Sequence, residues 1–123
     1  MATDKFDTVE NNSHVCVIIG AGDYIGAAIA RRFAAGGFTV CLGRRNGEKN
    51  AELVAEIEAA GGKAHSYTLD AREEVQIVER FAAIEKDIGP IEIMISNAGG
   101  NVNFPILETT ERVFYKVWKM ACL

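Results

Sequence analysis

Four runs rich in apolar and β-branched residues punctuate the chain, over 14–19, 38–42, 63–69 and 91–96. Each has the length and composition of a strand, and the third is the most polar of the four. Between and after them the period changes from strand-like to helical. Ile25, Ala28, Ile29 and Phe33 recur on one helical face, as do Leu53, Val54, Ile57 and Ala60. Val75, Val78, Phe81 and Ala82 form a third such face, with Ile88 falling less neatly on it. Arg31, Glu52, Glu56, Glu79 and Glu85 occupy the opposite sides. Gly36-Gly37, Gly61-Gly62 and Gly89-Pro90 stand where helices of this length should stop.

The predicted strands end near residues 19, 43, 69 and 96, at spacings of 24, 26 and 27 residues. Regular alternation of strand and helix at that period is the pattern of βαβ units and a parallel sheet. The first, second and fourth runs are almost continuously apolar, which predicts burial on both faces. Right-handed crossovers then favour an α/β, Rossmann-like doubly wound sheet in strand order 3-2-1-4, the first half of a dinucleotide-binding fold. Residues 14–123 read as one such domain, preceded by a flexible polar tail over 1–13. A further amphipathic segment begins after Thr109 or Thr110, either of which can cap a helix. Val113, Phe114, Val117, Trp118 and Ala121 make its apolar face, with Trp118 expected in the core. That face, still running at Leu123, and the apolar edge of the fourth strand together predict a chain that ends before its fold does or that packs on a partner.

Composition narrows the function classes. Apolar residues make up 49% and charged residues 24%, an ordinary globular balance. The net charge of −4 argues against a nucleic-acid surface, which needs dense positive charge, but leaves room for one small anion pocket. No apolar run reaches the ~18 residues of a membrane span, and the polar N-terminus has no secretory h-region. Cys16, Cys41 and Cys122 are an odd set without metal-ligand spacing. The first two sit inside apolar runs as small hydrophobes, so a reducing, cytoplasmic compartment is expected.

The chemistry gathers at the strand ends. After the first strand, Gly20-Ala21-Gly22-Asp23-Tyr24-Ile25-Gly26 opens directly into a helix. Bare amides and the helix dipole there favour an anion, and glycines let a pyrophosphate approach the main chain. A tight turn of any α/β protein has the same letters. After the second strand stand Arg44 and Arg45, where an NAD site carries an acid for the ribose hydroxyls. Guanidinium groups there suit a 2′-phosphate, hence NADP; the bland reading is a solvated charge pair. Asp70, after the third strand, can accept from an adenine amino group or cap the next helix. Asn97, Ala98 and Gly99, after the fourth, are small enough for a ligand to lie against the backbone. His14 and His65 begin strands, on the other side of the sheet, without partners at metal spacing. No residue is assigned to a metal.

With these motifs the chain resembles the short-chain dehydrogenase/reductase family, in its NADP-preferring branch, from about residue 15 to the C-terminus. The family's T-G-x-x-x-G-x-G loop is similar to 19–26, with Ile19 in place of the threonine and Tyr24 in place of the middle glycine. There the Tyr24 phenol stacks over the cofactor or narrows its entry. Ser96-Asn97-Ala98-Gly99 resembles the N-N-A-G motif, and Asp70-Ala71 the adenine-contacting pair. The resemblance implies that Gly20, Gly22, Asp23, Tyr24, Ile25 and Gly26 form the pyrophosphate loop. Arg44 and Arg45 hold the 2′-phosphate, Asp70 and Ala71 the adenine, and Asn97, Ala98 and Gly99 the inner ribose and nicotinamide side. It implies NADP(H)-dependent hydride transfer with a small alcohol or carbonyl substrate, and homo-oligomers formed through later helices. The family's catalytic serine and Tyr-x-x-x-Lys pair lie past a further strand, so no catalytic residue is assigned within these 123 residues. Tyr115 and Lys119 have the right letters but follow Asn97 too soon, and read as one turn of the fifth helical segment. A nucleotide-binding module without catalysis is the alternative.

Overall fold

The computed structural model describes residues 14–100 and 103–122; the polar segment 1–13 lies outside them. The elements run β1 (Val15–Ile19), α1 (Ile25–Ala35), β2 (Thr39–Arg44), a 3-10 turn (Gly47–Asn50), α2 (Ala51–Ala59), β3 (Lys63–Thr68), α3 (Glu74–Asp87), β4 (Ile91–Ser96), a second 3-10 turn (Ile106–Glu108) and α4 (Glu111–Ala121). All four strands are parallel, in the order β3-β2-β1-β4. This is the doubly wound, Rossmann-like sheet the spacing predicts.

β1 is the centre because every one of its side chains is apolar, and all five are buried. Each such burial contributes roughly 1.5–3 kcal/mol. Alternation divides them between two layers. Cys16 and Ile18 pack with α1 and α2 against Val40, Leu42, Leu53 and Ile57. Val15, Val17 and Ile19 pack with α3 against Cys41, Leu69 and Ile84. Burial pushes the thiols of Cys16 and Cys41 up to about 11, so both behave as apolar groups. The glycine pairs do stop the first two helices. The amides of Gly37 and Phe38 donate to Ala34 and Phe33, and those of Gly61 and Gly62 to Glu58 and Ile57, the Schellman pattern.

Three details depart from the periodicity. The buried stripe of α1 is Gly26, Ala27, Ala30 and Ala34, while Ile25 and Ala28 are exposed and Ile29 and Phe33 only flank the core. The helix start lies so close to the turn after β1 that glycine is needed there: a Cβ on Gly26 would stand 2.6 Å from the Cα of Ala21. On α3 the core face is Ile77, Phe81, Ile84 and Ile88, and Val75 and Val78 face outward. The fourth strand is not buried on both sides. Its residues alternate between half-buried and exposed, because among the described residues β1 alone pairs with it and the α3-side layer leaves Met94 exposed.

β4 also slips register. Val15 pairs with Ile91 but Cys16 with Ile93, so Glu92 is left over. A one-residue slip moves the following side chains to the other face. Ile91 therefore packs in the α3 layer, while Ile93 and Ile95 pack in the α1–α2 layer. The extra residue meets the strand-start histidine: His14 Nδ1 lies 2.5 Å from Glu92 Oε1. No residue of α4 is buried, and Trp118, expected in the core, is 48% exposed. Among the described residues no helix is long and apolar enough to cross a membrane, and no cluster of three or more metal-ligating side chains occurs.

Candidate functional site

The carboxyl ends of all four strands open onto one cavity of about 880 Å³. Its floor is built by the joint between β1 and β4. Gly20 has φ +82°, and its amide and that of Ala21 donate to the carbonyl of Gly43 at 2.8 and 3.2 Å. The Asn97 amide donates to the Ile19 carbonyl at 2.7 Å, and its Nδ2 to the Gly20 carbonyl at 3.1 Å. A Cβ on Gly20 would overlap the Asn97 carbonyl at 2.6 Å. Glycine is required there both by the left-handed backbone and by the approach of the second strand end. Gly22 differs: a Cβ there would meet nothing within 4 Å, and the residue lines the cavity. The amides of Asp23, Tyr24, Ile25 and Gly26, at the start of α1, donate to no carbonyl outside the helix among the described residues. They are the bare donors that an anion at a helix N-terminus uses.

At the end of β2, Arg44 turns inward. Its Nη1 donates to Asp23 Oδ1 at 3.0 Å and to Asn50 Oδ1 at 3.3 Å, and the side chain is only 18% exposed. Asn50 is buried, and its Nδ2 has no partner among the described residues. The 3-10 turn that carries Asn50 is docked on β3. Ser66 Oγ donates to the Gly47 carbonyl at 2.7 Å, and the Gly47 amide to Thr68 Oγ1 at 3.3 Å. A Cβ on Gly47 would stand 2.8 Å from the Thr68 nitrogen, so glycine permits this contact. The same turn sets Lys49 on the cavity wall, which the exposed Arg45 and Asn46 also line.

At the end of β3, Asp70 does not cap α3 with its side chain; the N-cap is Glu73, whose amide donates to the Asp70 carbonyl at 3.0 Å. The carboxylate accepts instead from the amide, Nε and Nη2 of Arg72, at 3.0, 3.0 and 2.7 Å. These hydrogen bonds hold its pKa down at about 2, so the group is an anion at any ordinary pH.

Of the residues singled out by sequence, Gly20, Gly22, Arg44 and Arg45 line the cavity, together with Asp70, Ala71, Asn97, Ala98 and Gly99. Asp23 stands at its rim through Arg44. Tyr24, Ile25 and Gly26 lie outside the wall: Tyr24 points to solvent at 87% exposure, Ile25 is exposed, and Gly26 is packed beneath Ala21. Residues not foreseen also line it, notably Lys49, Arg72, Ile77 and Met94. Their only sequence signal is position, within a turn or two of a strand end. The last turn of α4 closes the β4 side with Lys119, Met120 and Cys122, while Tyr115 is exposed and lies outside the wall. His14 and His65 do not line the cavity.

Comparison with known proteins gives this architecture a family. A family model described as short chain dehydrogenase matches residues 14–122. Gluconate 5-dehydrogenase of Gluconobacter oxydans is 34% identical over 96 residues, covering 78% of this chain and 38% of that protein. 2-Dehydro-3-deoxy-D-gluconate 5-dehydrogenase of Formosa agariphila is 30% identical over 118 residues, covering 95% and 44%. Among solved structures, a short-chain dehydrogenase from Rhodopseudomonas palustris superposes with a TM-score of 0.82 at 60% identity, over 89% of this chain and 51% of that one. A metagenomic short-chain oxidoreductase in complex with NADP superposes at 0.81 with 29% identity, over 89% and 50%. The chain thus spans from 38% to 51% of the length of these relatives. With its parallel sheet, its glycine turn and a family match over nearly all of its length, this chain belongs to the short chain dehydrogenase family.

Proposed function

We propose that the cavity binds NADP(H) and that the chain is the cofactor-binding part of an oxidoreductase that moves hydride between NADP(H) and an alcohol or carbonyl substrate. The observation that carries this reading is the convergence of four strand ends on one cavity, with an open glycine and a basic rim together and the bare amides of the helix start beside it. The residues suit the ligand. The amides of 23–26 and the open face of Gly22 accommodate a pyrophosphate. The Asp70 carboxylate, ionised at neutral pH, accepts from an amino group of the adenine. Arg44, Arg45 and Lys49 surround the end of β2 with positive charge, and Asn97, Ala98 and Gly99 present backbone to the inner ribose. Once bound, the nicotinamide supplies the hydride donor or acceptor. The NADP complex of the metagenomic relative supports the choice of dinucleotide.

Titration of the 123-residue chain with NADPH and NADH tests the reading. One charge-assisted contact to the 2′-phosphate makes NADPH about ten- to a hundredfold tighter. Arg44→Asp reverses a charge at the rim and is expected to weaken NADPH far more than NADH. Equal losses for both nucleotides would take the 2′-phosphate away from Arg44.

A further inference from the structure

The cavity has two ends. Arg44, Arg45, Lys49 and Arg72 stand where β2 and β3 finish, whereas Lys119 stands at the β4 side. β3 and β4 are the outer strands of the sheet, so three strand spacings, about 14 Å, separate them. The β4 end is a compartment with three walls. β4 gives Met94 and Ser96, α3 gives Ile77, and the last turn of α4 gives Lys119, Met120 and Cys122. Met94 points to the opposite face from Ile93 and Ile95, and about half of its surface stays open there. A Cβ on Gly100 would stand 3.1 Å from that of Met120, so the last turn of α4 rests against the chain just past β4. Arg112, Lys116 and Lys119 share one side of α4, and of these Lys119 alone lines the cavity. Among the described residues the one carboxylate on the cavity wall is Asp70, at the far end, where Arg72 binds it and the charge of Arg45 also acts on it. Lys119 has no ion-pair partner among the described residues.

We propose that this compartment holds the carboxylate of a small organic acid, with Lys119 as its specificity residue, so that the substrate is a hydroxy or oxo acid with an apolar body. The inference rests on the oxidoreductase reading above, in which Asn97, Ala98 and Gly99 present backbone to the inner ribose beside this end. The charge selects the ligand. One cation matches a carboxylate of charge −1 and falls short of a phosphate monoester, which carries about −1.5 to −2 near neutral pH. The rest of the wall selects the body. The thioethers of Met94 and Met120 are flexible and polarisable, and with Ile77 they present apolar surface that adapts to a ring or a short chain. Ser96 adds a hydroxyl to the same wall, able to donate to a second carboxylate oxygen. Neither the two methionines nor the lysine has a duty in holding the sheet together, since none of the three is buried.

The test uses benzoate and its neutral isostere benzamide as probes of the full chain. Methionine labelled with 13C at the methyl group places two of the chain's three methionine signals, Met94 and Met120, in the compartment. Their shifts give the dissociation constants of both probes at neutral pH, with and without saturating NADPH. Wild type is expected to bind benzoate about fivefold more tightly than benzamide, the upper range for an exposed ion pair. Lys119→Met brings the two probes to within about 1.5-fold of each other and changes NADPH affinity by less than about twofold. Lys119→Arg keeps the benzoate preference. Lys119 is exposed, so these variants should fold normally, and circular dichroism verifies this. No benzoate preference in wild type, or one that survives in Lys119→Met, overturns the proposal. So does a larger loss of NADPH affinity in that variant, which would put Lys119 on the nucleotide. A chain that binds no NADPH overturns the nucleotide reading instead, and the titrations without NADPH still decide the carboxylate site.

Discussion

At the scale of single residues, two glycines two positions apart have opposite duties. Gly20 holds a left-handed backbone and sits 2.6 Å, measured from a would-be Cβ, from the Asn97 carbonyl. Gly20→Ala is therefore expected to cost about 2 kcal/mol or more, read as a lower urea midpoint at unchanged m-value. Gly22→Ala has open space around it and should leave stability within about 0.5 kcal/mol while weakening nucleotide binding. If Gly22→Ala proved the more destabilising of the two, the joint between β1 and β4 would be misassigned. Asp70 offers a pH prediction. Its folded pKa, about 2, lies below the ordinary value of 3.8, so its contribution to stability is complete above about pH 4 and is lost as pH falls through about 2. Removing the two side-chain hydrogen bonds of Arg72, as in Arg72→Ala, should raise the Asp70 carboxyl titration part of the way toward the ordinary value, since the backbone amide still donates. NMR of the side-chain carboxyl checks it, and an unmoved titration would take the Arg72 contacts out of the account. The glycines and the arginine pair were legible as letters in a turn. Whether an arginine faces a ligand or an aspartate depends on a partner 21 residues away, which no local pattern encodes.

At the scale of elements, existence and order were legible and facing was less so. Strand and helix spacing predicted the order 3-2-1-4, and the sheet has it. The α1 and α3 faces came out rotated because periodicity weights large apolar residues, whereas the sheet selects by fit. Against β1 it takes the Gly26–Ala34 stripe, and against the other layer Ile77, Phe81, Ile84 and Ile88. The bulge at Glu92 was invisible for a related reason: Ile91, Ile93 and Ile95 alternate perfectly in sequence, yet the first lies on a different face from the other two. α4 shows amphipathicity without burial, with Phe114, Tyr115 and Trp118 all about half exposed. Few buried contacts hold it, so its amides should exchange with solvent by local opening, orders of magnitude faster than those of β1, which open only on global unfolding. Hydrogen exchange followed by mass spectrometry checks this; equal protection in α4 and β1 would mean that α4 is packed more tightly than its exposed side chains indicate.

At the scale of the whole molecule, a net charge of −4 coexists with a basic rim at one end of the sheet. The overall sign sets how the chain meets other macromolecules, and the local sign sets what enters the cavity. The crossover connections make that possible. Each βαβ unit returns the chain to the same edge, so the loops after the four strands share one site although they are some 25 residues apart. The sequence by itself determined the layered α/β architecture, the strand order, the helix stops and the place of the glycine turn, because these follow from periodicity and turn chemistry within a few residues. Only the tertiary structure decided which of the rim's cations pair with a carboxylate, which face of α1 and α3 meets the sheet, and that Lys49 and Arg72 line the cavity. Those depend on distances between segments remote in the chain, where packing and charge pairing override local preference.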